Sequence, residues 1–213
     1  MSCAFDLAHY RELLDAAKAG GYRFARFEGP PQRGDLLLRH DVDLSLEAAL
    51  AMAELEAELD VASTYFLMPA SEFYNLAAPS GRDAIERFGR LGHRVGLHAV
   101  YPDAAPDPRF DQLLAWHNPD PEYLTAPVDG FLNVMQPGFF DPEHYRSDSN
   151  QRWRHGCPHE PLARGEFEWL QLLVHPEIWV YPGETMRETM LAMLGDERDR
   201  RLDQLEADRI DLS

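Results

Sequence analysis

Polar side chains follow three apolar runs of the sequence, at points where a buried strand would end. The first run ends in Asp41 and Asp43, the second in His98 and the third in His175. Reactive groups of parallel α/β folds gather at the carboxyl ends of the strands. Three such endings therefore predict one site at that edge of a sheet.

The two aspartates of the first run are separated by one residue. In an extended strand both carboxylates would face the same side. Carboxylates held close together repel each other unless a proton or a cation lies between them, and a divalent metal would meet that need. The alternative interpretation is that Asp43 caps the helix after it and that Asp41 pairs with Arg39.

The two histidines suggest different roles. A histidine at the end of an apolar strand is often a hydrogen-bonded structural residue, but Asp43 at a neighbouring strand end favours metal binding by His98. Oxygen and nitrogen ligands without cysteine suit zinc or a similar divalent ion. His175 precedes a proline at the rim of the sheet, and an imidazole there can pass a proton to a leaving group. A hydrogen bond to a backbone carbonyl is its alternative role.

Two further polar segments carry weaker signals. His117 lies in the sequence Trp-His-Asn-Pro, and Asp148 lies in Ser-Asp-Ser, with Trp153 soon after it. A Ser-Asp-Ser sequence is typical of a turn. We expect the remaining histidines of this part of the chain at the surface or in turns, and they receive no role: His93, His144, His155 and His159.

The elements that must position these residues alternate along the chain. Hydrophobic spacing and helix-capping signals predict helices over residues 7–19, 46–59 (capped by Ser45) and 80–91, and strands over 35–43, 61–68 and 93–100. Strands that alternate with helices through short connections favour a parallel sheet covered by helices.

The second half of the chain is less regular. Residues 102–127 contain six prolines and are predicted irregular, with 111–116 as a strand or a half-helix. Strands are predicted over 131–135, 144–148 and 168–175, and a final helix from about residue 184. Leu202, Leu205 and Ile210 form a thin apolar stripe on its charged tail. Such a stripe docks onto the domain or onto a second subunit, so a homodimer is one expectation.

Length and composition set the class of protein. A chain of 213 residues supports one sizeable core, so we expect residues 1–213 to form a single domain. The net charge of −17 and pI near 4.8 would repel nucleic acid and anionic membranes. Cys3 and Cys157 are too few for a disulfide framework. The sequence shows no signal peptide and no apolar stretch of about 20 residues, and we expect a cytoplasmic protein.

Over residues 36–179 the motifs resemble those of the polysaccharide deacetylase (NodB-homology) family. Leu-Leu-Leu-Arg-His-Asp-Val-Asp, ending at Asp43, resembles the family's first motif, in which the first aspartate is the catalytic base and the last binds the metal. Gly-His-Arg-Val-Gly-Leu-His, ending at His98, resembles the second motif, whose final histidine is a metal ligand. Leu-Leu-Val-His, ending at His175, is similar to the last motif, whose histidine is the general acid.

The resemblance implies further roles. Asp148 and Trp153 resemble the segment that supports the general acid, and Trp-His-Asn-Pro around His117 is similar to a His-x-Pro element of a bacterial branch. The implied fold is a distorted (β/α)7 barrel. The implied site has Asp41, His175 and Asp148 as catalytic residues, Asp43, His98 and His117 as ligands of a divalent metal such as zinc, and Trp153 and Tyr101 as substrate contacts.

One position departs from the family's second motif, which has another histidine four residues after the first. Pro102 stands at that place, and Asp103 and His117 are the nearest substitutes. The third metal ligand is therefore open between these two residues.

The implied function is metal-dependent hydrolysis of a non-peptide C–N bond. The substrate would be a small molecule or a carbohydrate, an N-acyl sugar or another small amide that loses an acyl group, usually acetyl. The metal would polarise the amide carbonyl and bind water, Asp41 would take a proton from that water, and His175 would protonate the leaving amine. The alternative, favoured by Pro102, is a degenerate relative that binds a carbohydrate or a metal without turnover.

Overall fold

The structure is a computed structural model that describes residues 3–100 and 105–210. The strands are β1 (Arg23–Phe24), β2 (Asp35–Val42), β3 (Thr64–Leu67), β4 (Arg94–Ala99), β5 (Leu113–Trp116), β6 (Leu132–Asn133), β7 (Tyr145–Ser147) and β8 (Leu170–Val174). The helices are α1 (Leu7–Ala19), α2 (Leu46–Glu58), α3 (Pro79–Arg90), α4 (Pro121–Leu124), α5 (His159–Ala163), α6 (Pro176–Val180) and α7 (Met186–Ala207).

The eight strands form one sheet. Seven of them lie in the order β6-β5-β4-β3-β2-β8-β7, and β1 pairs with β2 outside this path. Every pairing between these strands is parallel. The predicted α/β class and parallel sheet are confirmed, and the sheet is curled in a way consistent with a TIM-like barrel.

Both faces of β2 are covered, because all eight of its residues are buried. Successive side chains of a strand point to opposite faces. Leu38 packs with the helix layer around α1, whereas Leu37 packs with Phe66 inside the curl of the sheet. By the same alternation Arg39 and Asp41 face the inside.

Hydrogen bonds across the interior join distant strands of the curled sheet. Arg39 on β2 first fixes the Gln171 side chain on the neighbouring strand β8, donating from Nη1 to Gln171 Oε1 at 3.1 Å. Gln171 donates from Nε2 to the carbonyl oxygens of Val134 at 3.0 Å and Phe139 at 2.6 Å. Val134 follows β6 at one edge of the sheet, and β8 lies next to the other edge. These bonds therefore hold the two sides of the curled sheet together.

A buried carboxylate of α2 organises the layer between the sheet and the helices. Glu56 Oε1 lies 2.7 Å from His40 Nε2, and Glu56 Oε2 accepts hydrogen bonds from Ser63 Oγ at 2.6 Å and Tyr65 Oη at 2.9 Å. His40 therefore belongs to the packing layer. His93, expected at the surface or in a turn, is also buried here, with Nδ1 2.9 Å from Ser63 Oγ. The expected surface or turn position of His93 was wrong, because its imidazole can form hydrogen bonds with the buried polar groups of this layer.

Most of the predicted alternation is confirmed. Helix α1 spans the predicted residues, and Ser45 caps α2, its Oγ accepting from the Ala48 amide at 3.1 Å. Residues 111–116, predicted as a strand or a half-helix, contain the strand β5. Sequence analysis did not predict the two-residue strand β1 or the short helices α4, α5 and α6.

The apolar stripe at the charged end of α7 is only partly covered. Leu202 is 42% exposed and Ile210 49% exposed, whereas Leu205 is half-buried. Arg200 of the same helix contacts Glu47 of α2, with Nη1 2.6 Å from Oε1. Contact of the stripe with a second subunit stays a prediction. Within residues 3–100 and 105–210, no helix combines the length and the apolar character needed to cross a membrane.

Candidate metal centre

Three predicted ligands meet at the carboxyl edge of the sheet. Asp43 follows β2, His98 lies near the end of β4, and His117 follows β5. Asp43 Oδ1 is 3.0 Å from His98 Nε2 and 3.2 Å from His117 Nδ1. The ligand atoms of all three lie within 4.8 Å of one another. They converge because the strands are parallel and end at the same edge.

The geometry of this trio fits one divalent ion. In a tetrahedral zinc site, metal–ligand distances of about 2.0–2.2 Å place the ligand atoms about 3.3–3.5 Å apart. Asp43 Oδ1 is buried and makes no well-directed hydrogen bond to the described residues. Burial raises the pKa of Asp43, but the imidazoles of His117 and His98 more than offset this and hold it well below its usual range. An ionised, buried oxygen that faces two imidazole nitrogens is a suitable metal ligand.

The ring of His98 is oriented for such a role. Its Nδ1 lies 3.1 Å from the carbonyl oxygen of Ala115 on β5. Because a carbonyl oxygen only accepts, Nδ1 carries a proton, so in the neutral ring Nε2 is the nitrogen with the lone pair that could bind a metal. A backbone carbonyl commonly orients a metal-binding imidazole in this way.

Asp41 lies beside the trio and is held by Arg39. Its two carboxylate oxygens accept from Arg39 Nε at 2.8 Å and Nη2 at 2.6 Å, and Oδ2 is 3.8 Å from His98 Nε2. Burial raises the pKa of Asp41, but the Arg39 guanidinium more than offsets this, and the pKa is lowered. The alternative pairing of Asp41 with Arg39 is thus confirmed. The alternative capping role of Asp43 is wrong, since Ser45 caps α2.

His175 forms a buried pair with Asp148. His175 Nδ1 is 2.6 Å from Asp148 Oδ1, and Asp148 Oδ2 accepts from the His175 amide at 3.0 Å and from Trp179 Nε1 at 2.7 Å. Burial lowers the pKa of His175, but the Asp148 carboxylate outweighs this and raises the pKa to about 10. His175 is therefore an imidazolium at neutral pH, a form that can donate a proton.

Two buried groups near His175, Trp179 and Glu177, were not predicted from the sequence. Trp179, four residues further on, donates to Asp148, whereas Trp153 directs its Nε1 to Cys3 Sγ at 3.2 Å. Glu177 is buried, its Oε2 has no partner among the described residues, and burial raises its pKa to about 8. A proline at the first position of a helix is a recognised start signal, so the His-Pro sequence could have predicted α6 and both residues on it.

A cavity of about 470 Å³ connects the groups of the site. Its lining includes the three candidate ligands, Asp41 and His175. Aromatic and basic side chains complete it, and Trp153 is among them: Trp116, Tyr145, Arg146, Trp153 and Arg154. Tyr101, Pro102 and Asp103 lie outside the described residues.

Comparison of the chain with protein-family models, with curated proteins and with solved structures finds no match. The resemblance to polysaccharide deacetylases therefore rests on the motifs alone.

Proposed function

We propose that the protein is a metal-dependent hydrolase that removes an acyl group, acetyl by preference, from a small N-acyl compound. The proposal includes a distorted seven-strand barrel of the polysaccharide deacetylase type. One observation carries it: Asp43, His98 and His117 converge in a cavity that also holds an ionised carboxylate and a charged imidazole.

A divalent ion bound by this trio would act as a Lewis acid and lower the pKa of water, to about 7 for zinc. Asp41 is ionised and adjacent to the ligands, so it can accept a proton from an attacking water molecule. Arg39 donates hydrogen bonds to both oxygens of Asp41, and so fixes the orientation of the carboxylate that would accept the proton.

The proton donor lies on the other side of β2. His175 follows β8, which pairs with β2 on the side away from β3 and β4. An amide bound across the end of β2 would present its carbonyl to the ligand trio and its nitrogen to His175. Protonation of that nitrogen by His175 would make it a leaving amine.

The cavity favours a compact polar substrate. Its volume of about 470 Å³ suits a ligand of the size of one or two sugar rings. Trp153 and Tyr145 offer aromatic surface, and Arg146 offers a positive charge. If the predicted cytoplasmic location is right, the substrate is an intracellular N-acyl sugar or another small amide rather than cell-wall polymer.

The test is release of acetate from N-acetylated mono- and disaccharides by protein that has been stripped of metal and reloaded with Zn²⁺ or Co²⁺. We expect release only after loading, and none from Asp43→Ala. Asp141→Ala serves as the matched control, because Asp141 is an exposed aspartate that pairs with His144 outside the lining of the cavity.

A different outcome would favour a different function. If the wild-type protein binds metal at Asp43 and binds the sugar, yet releases no acetate with either ion, the protein is a non-catalytic binder. If Asp43→Ala retains full metal affinity and activity, the trio is not the metal centre.

A further inference from the structure

A second group of metal-binding side chains lies outside the cavity. Cys3 precedes α1, His9 lies in its first turns, and Cys157 lies in the loop before α5. Their ligand atoms all lie within 4.8 Å of one another, and His9 Nε2 is 3.3 Å from Cys157 Sγ. None of the three lines the cavity of the candidate metal centre.

We propose that Cys3, His9 and Cys157 bind one Zn²⁺ ion, separately from the centre at Asp43. Two thiolates and an imidazole form a donor set that zinc uses in proteins. With Zn–S near 2.3 Å and Zn–N near 2.0–2.1 Å, tetrahedral geometry sets the ligand atoms about 3.6–3.8 Å apart. The spacing of 3.3 Å between His9 Nε2 and Cys157 Sγ is close to these values, and a solvent molecule would take the fourth position.

Neighbouring groups orient the ligands of this second site. His9 Nδ1 lies 3.1 Å from Glu12 Oε2, so Nδ1 carries a proton and, in the neutral ring, Nε2 has the lone pair that would bind the metal. Such a carboxylate–histidine pair is a common support for a zinc ligand. Trp153 Nε1 donates to Cys3 Sγ at 3.2 Å, a contact that stabilises a thiolate. Both sulfur atoms are part-buried, so an ion can reach them.

The ion would fasten the start of the chain onto the segment that supports His175. Phe5 lies against Trp179, with ring centroids 5.2 Å apart, and His9 stacks on the same indole at 6.4 Å. Trp179 donates to Asp148, which orients His175. The role of an ion at the second site is thus to hold the packing around the Asp148–His175 pair.

The same two sulfur atoms could instead form a disulfide. A disulfide would join only the two sulfur atoms and leave the oriented Nε2 of His9 unused, whereas an ion would bind all three side chains. The two states are distinguishable by mass, because disulfide formation removes two hydrogen atoms.

The experiment uses the full chain with Co²⁺ as the probe. Thiolate–cobalt bonds give a charge-transfer absorption that carboxylate and imidazole ligands do not give. We expect the wild-type protein to bind two equivalents, with this absorption saturating at one. The double variant Asp43→Ala/His98→Ala should keep the absorption and bind one equivalent, so the result does not depend on the proposed hydrolase function.

Two single variants of the second site should show less of this absorption at a Co²⁺ concentration that saturates the wild type. Cys157→Ser removes one sulfur, and His9→Gln removes the imidazole while both thiols remain, so metal affinity should fall by at least tenfold in each. His144→Gln is the matched control, since His144 belongs neither to the second site nor to the lining of the cavity, and it should bind Co²⁺ like the wild type. Added Zn²⁺ should raise the unfolding temperature of Asp43→Ala/His98→Ala and leave that of a triple variant with Cys157→Ser unchanged.

Three results would overturn the proposal. One is reduced wild-type protein without charge-transfer absorption at saturating Co²⁺. Another is a Cys3–Cys157 disulfide in protein purified under cytosol-like reducing conditions. The third is full Co²⁺ affinity in His9→Gln, which would leave the imidazole outside the site.

Discussion

Asp148→Asn is the most informative substitution for the proposed proton donor. Asp148 is fully buried and contacts His175 Nδ1 at 2.6 Å. The substitution keeps the size of the side chain and removes its charge. Burial then acts on His175 against only the smaller effects of Glu177 and Asp41, so we expect the pKa of His175 to fall from about 10 to about 6.5.

The size of the effect on turnover follows from the protonated fraction of His175. At pH 8.5 an imidazole with a pKa of about 10 is almost fully protonated, whereas one with a pKa of about 6.5 is about 1% protonated. If His175 is the general acid, kcat at pH 8.5 should fall about a hundredfold from this cause alone. At pH 5.5 both forms are protonated, and the loss should be much smaller.

Two measurements test this reasoning. Titration of the His175 ring by NMR in the metal-free protein gives the pKa directly, and pH–rate profiles of the metal-loaded protein give the alkaline limb. Metal content should be unchanged, because Asp148 is not a ligand. Asp141→Asn is the control, since it removes an aspartate that pairs with a histidine at the surface. An unchanged pKa of His175, or an equal loss of kcat at every pH, would refute the reasoning.

Three further predictions follow from other buried groups. Asp41→Asn should keep bound metal and lower kcat by about 10²- to 10⁴-fold, measured as acetate release alongside metal content. Gly96→Ala should lower the free energy of unfolding, measured by urea denaturation, by about 1–3 kcal/mol, because the added Cβ would lie 2.5 Å from Phe66 Cε1. The control Gly89→Ala, where nothing lies within 4 Å of the added Cβ, should be neutral or slightly stabilising. The pKa of Glu177 is raised to about 8, so between about pH 4.5 and 8 the metal-free folded chain holds a proton that the unfolded chain loses. This contribution to the free energy of unfolding should therefore decrease as pH rises from about 4.5 to about 8. Urea titrations of Glu177→Gln should lack this contribution.

The sequence was sufficient for elements with a clear local signal. Helix α1 has apolar residues at helical spacing and two glycines after it, and the structure gives it the predicted bounds. The strand β5 was ambiguous because a four-residue apolar run has no period of its own. Its assignment depends on the pairing of Leu114 with Leu97 and Asn133, which are distant in the sequence.

In the candidate site, too, some positions were predictable from the local sequence, and others depended on contacts between residues distant in the sequence. Strand ends placed Asp43 and His98 at one edge, so their proximity was predictable from the topology alone. The contact of His117 with Asp43 depended on whether residues 111–116 form a strand, which the sequence left open. The indole N–H that donates to Asp148 belongs to Trp179. The position of Trp179 depends on α6, a helix of five residues that is too short for a periodic pattern.

Charge balance among three buried carboxylates supports the proposed cation at Asp43. A buried carboxylate is costly unless a cation or strong hydrogen bonds compensate it. Asp41 has the guanidinium of Arg39, and Asp148 has the imidazolium of His175 together with two N–H donors. Asp43, in the described part of the chain, has only two imidazoles as candidate partners, and both are needed as neutral ligands if a metal is bound. Of Asp41, Asp43 and Asp148, Asp43 is the one without a permanent cation, and it is also the one on which the nitrogen ligands converge, so a divalent ion would satisfy the charge and the geometry together.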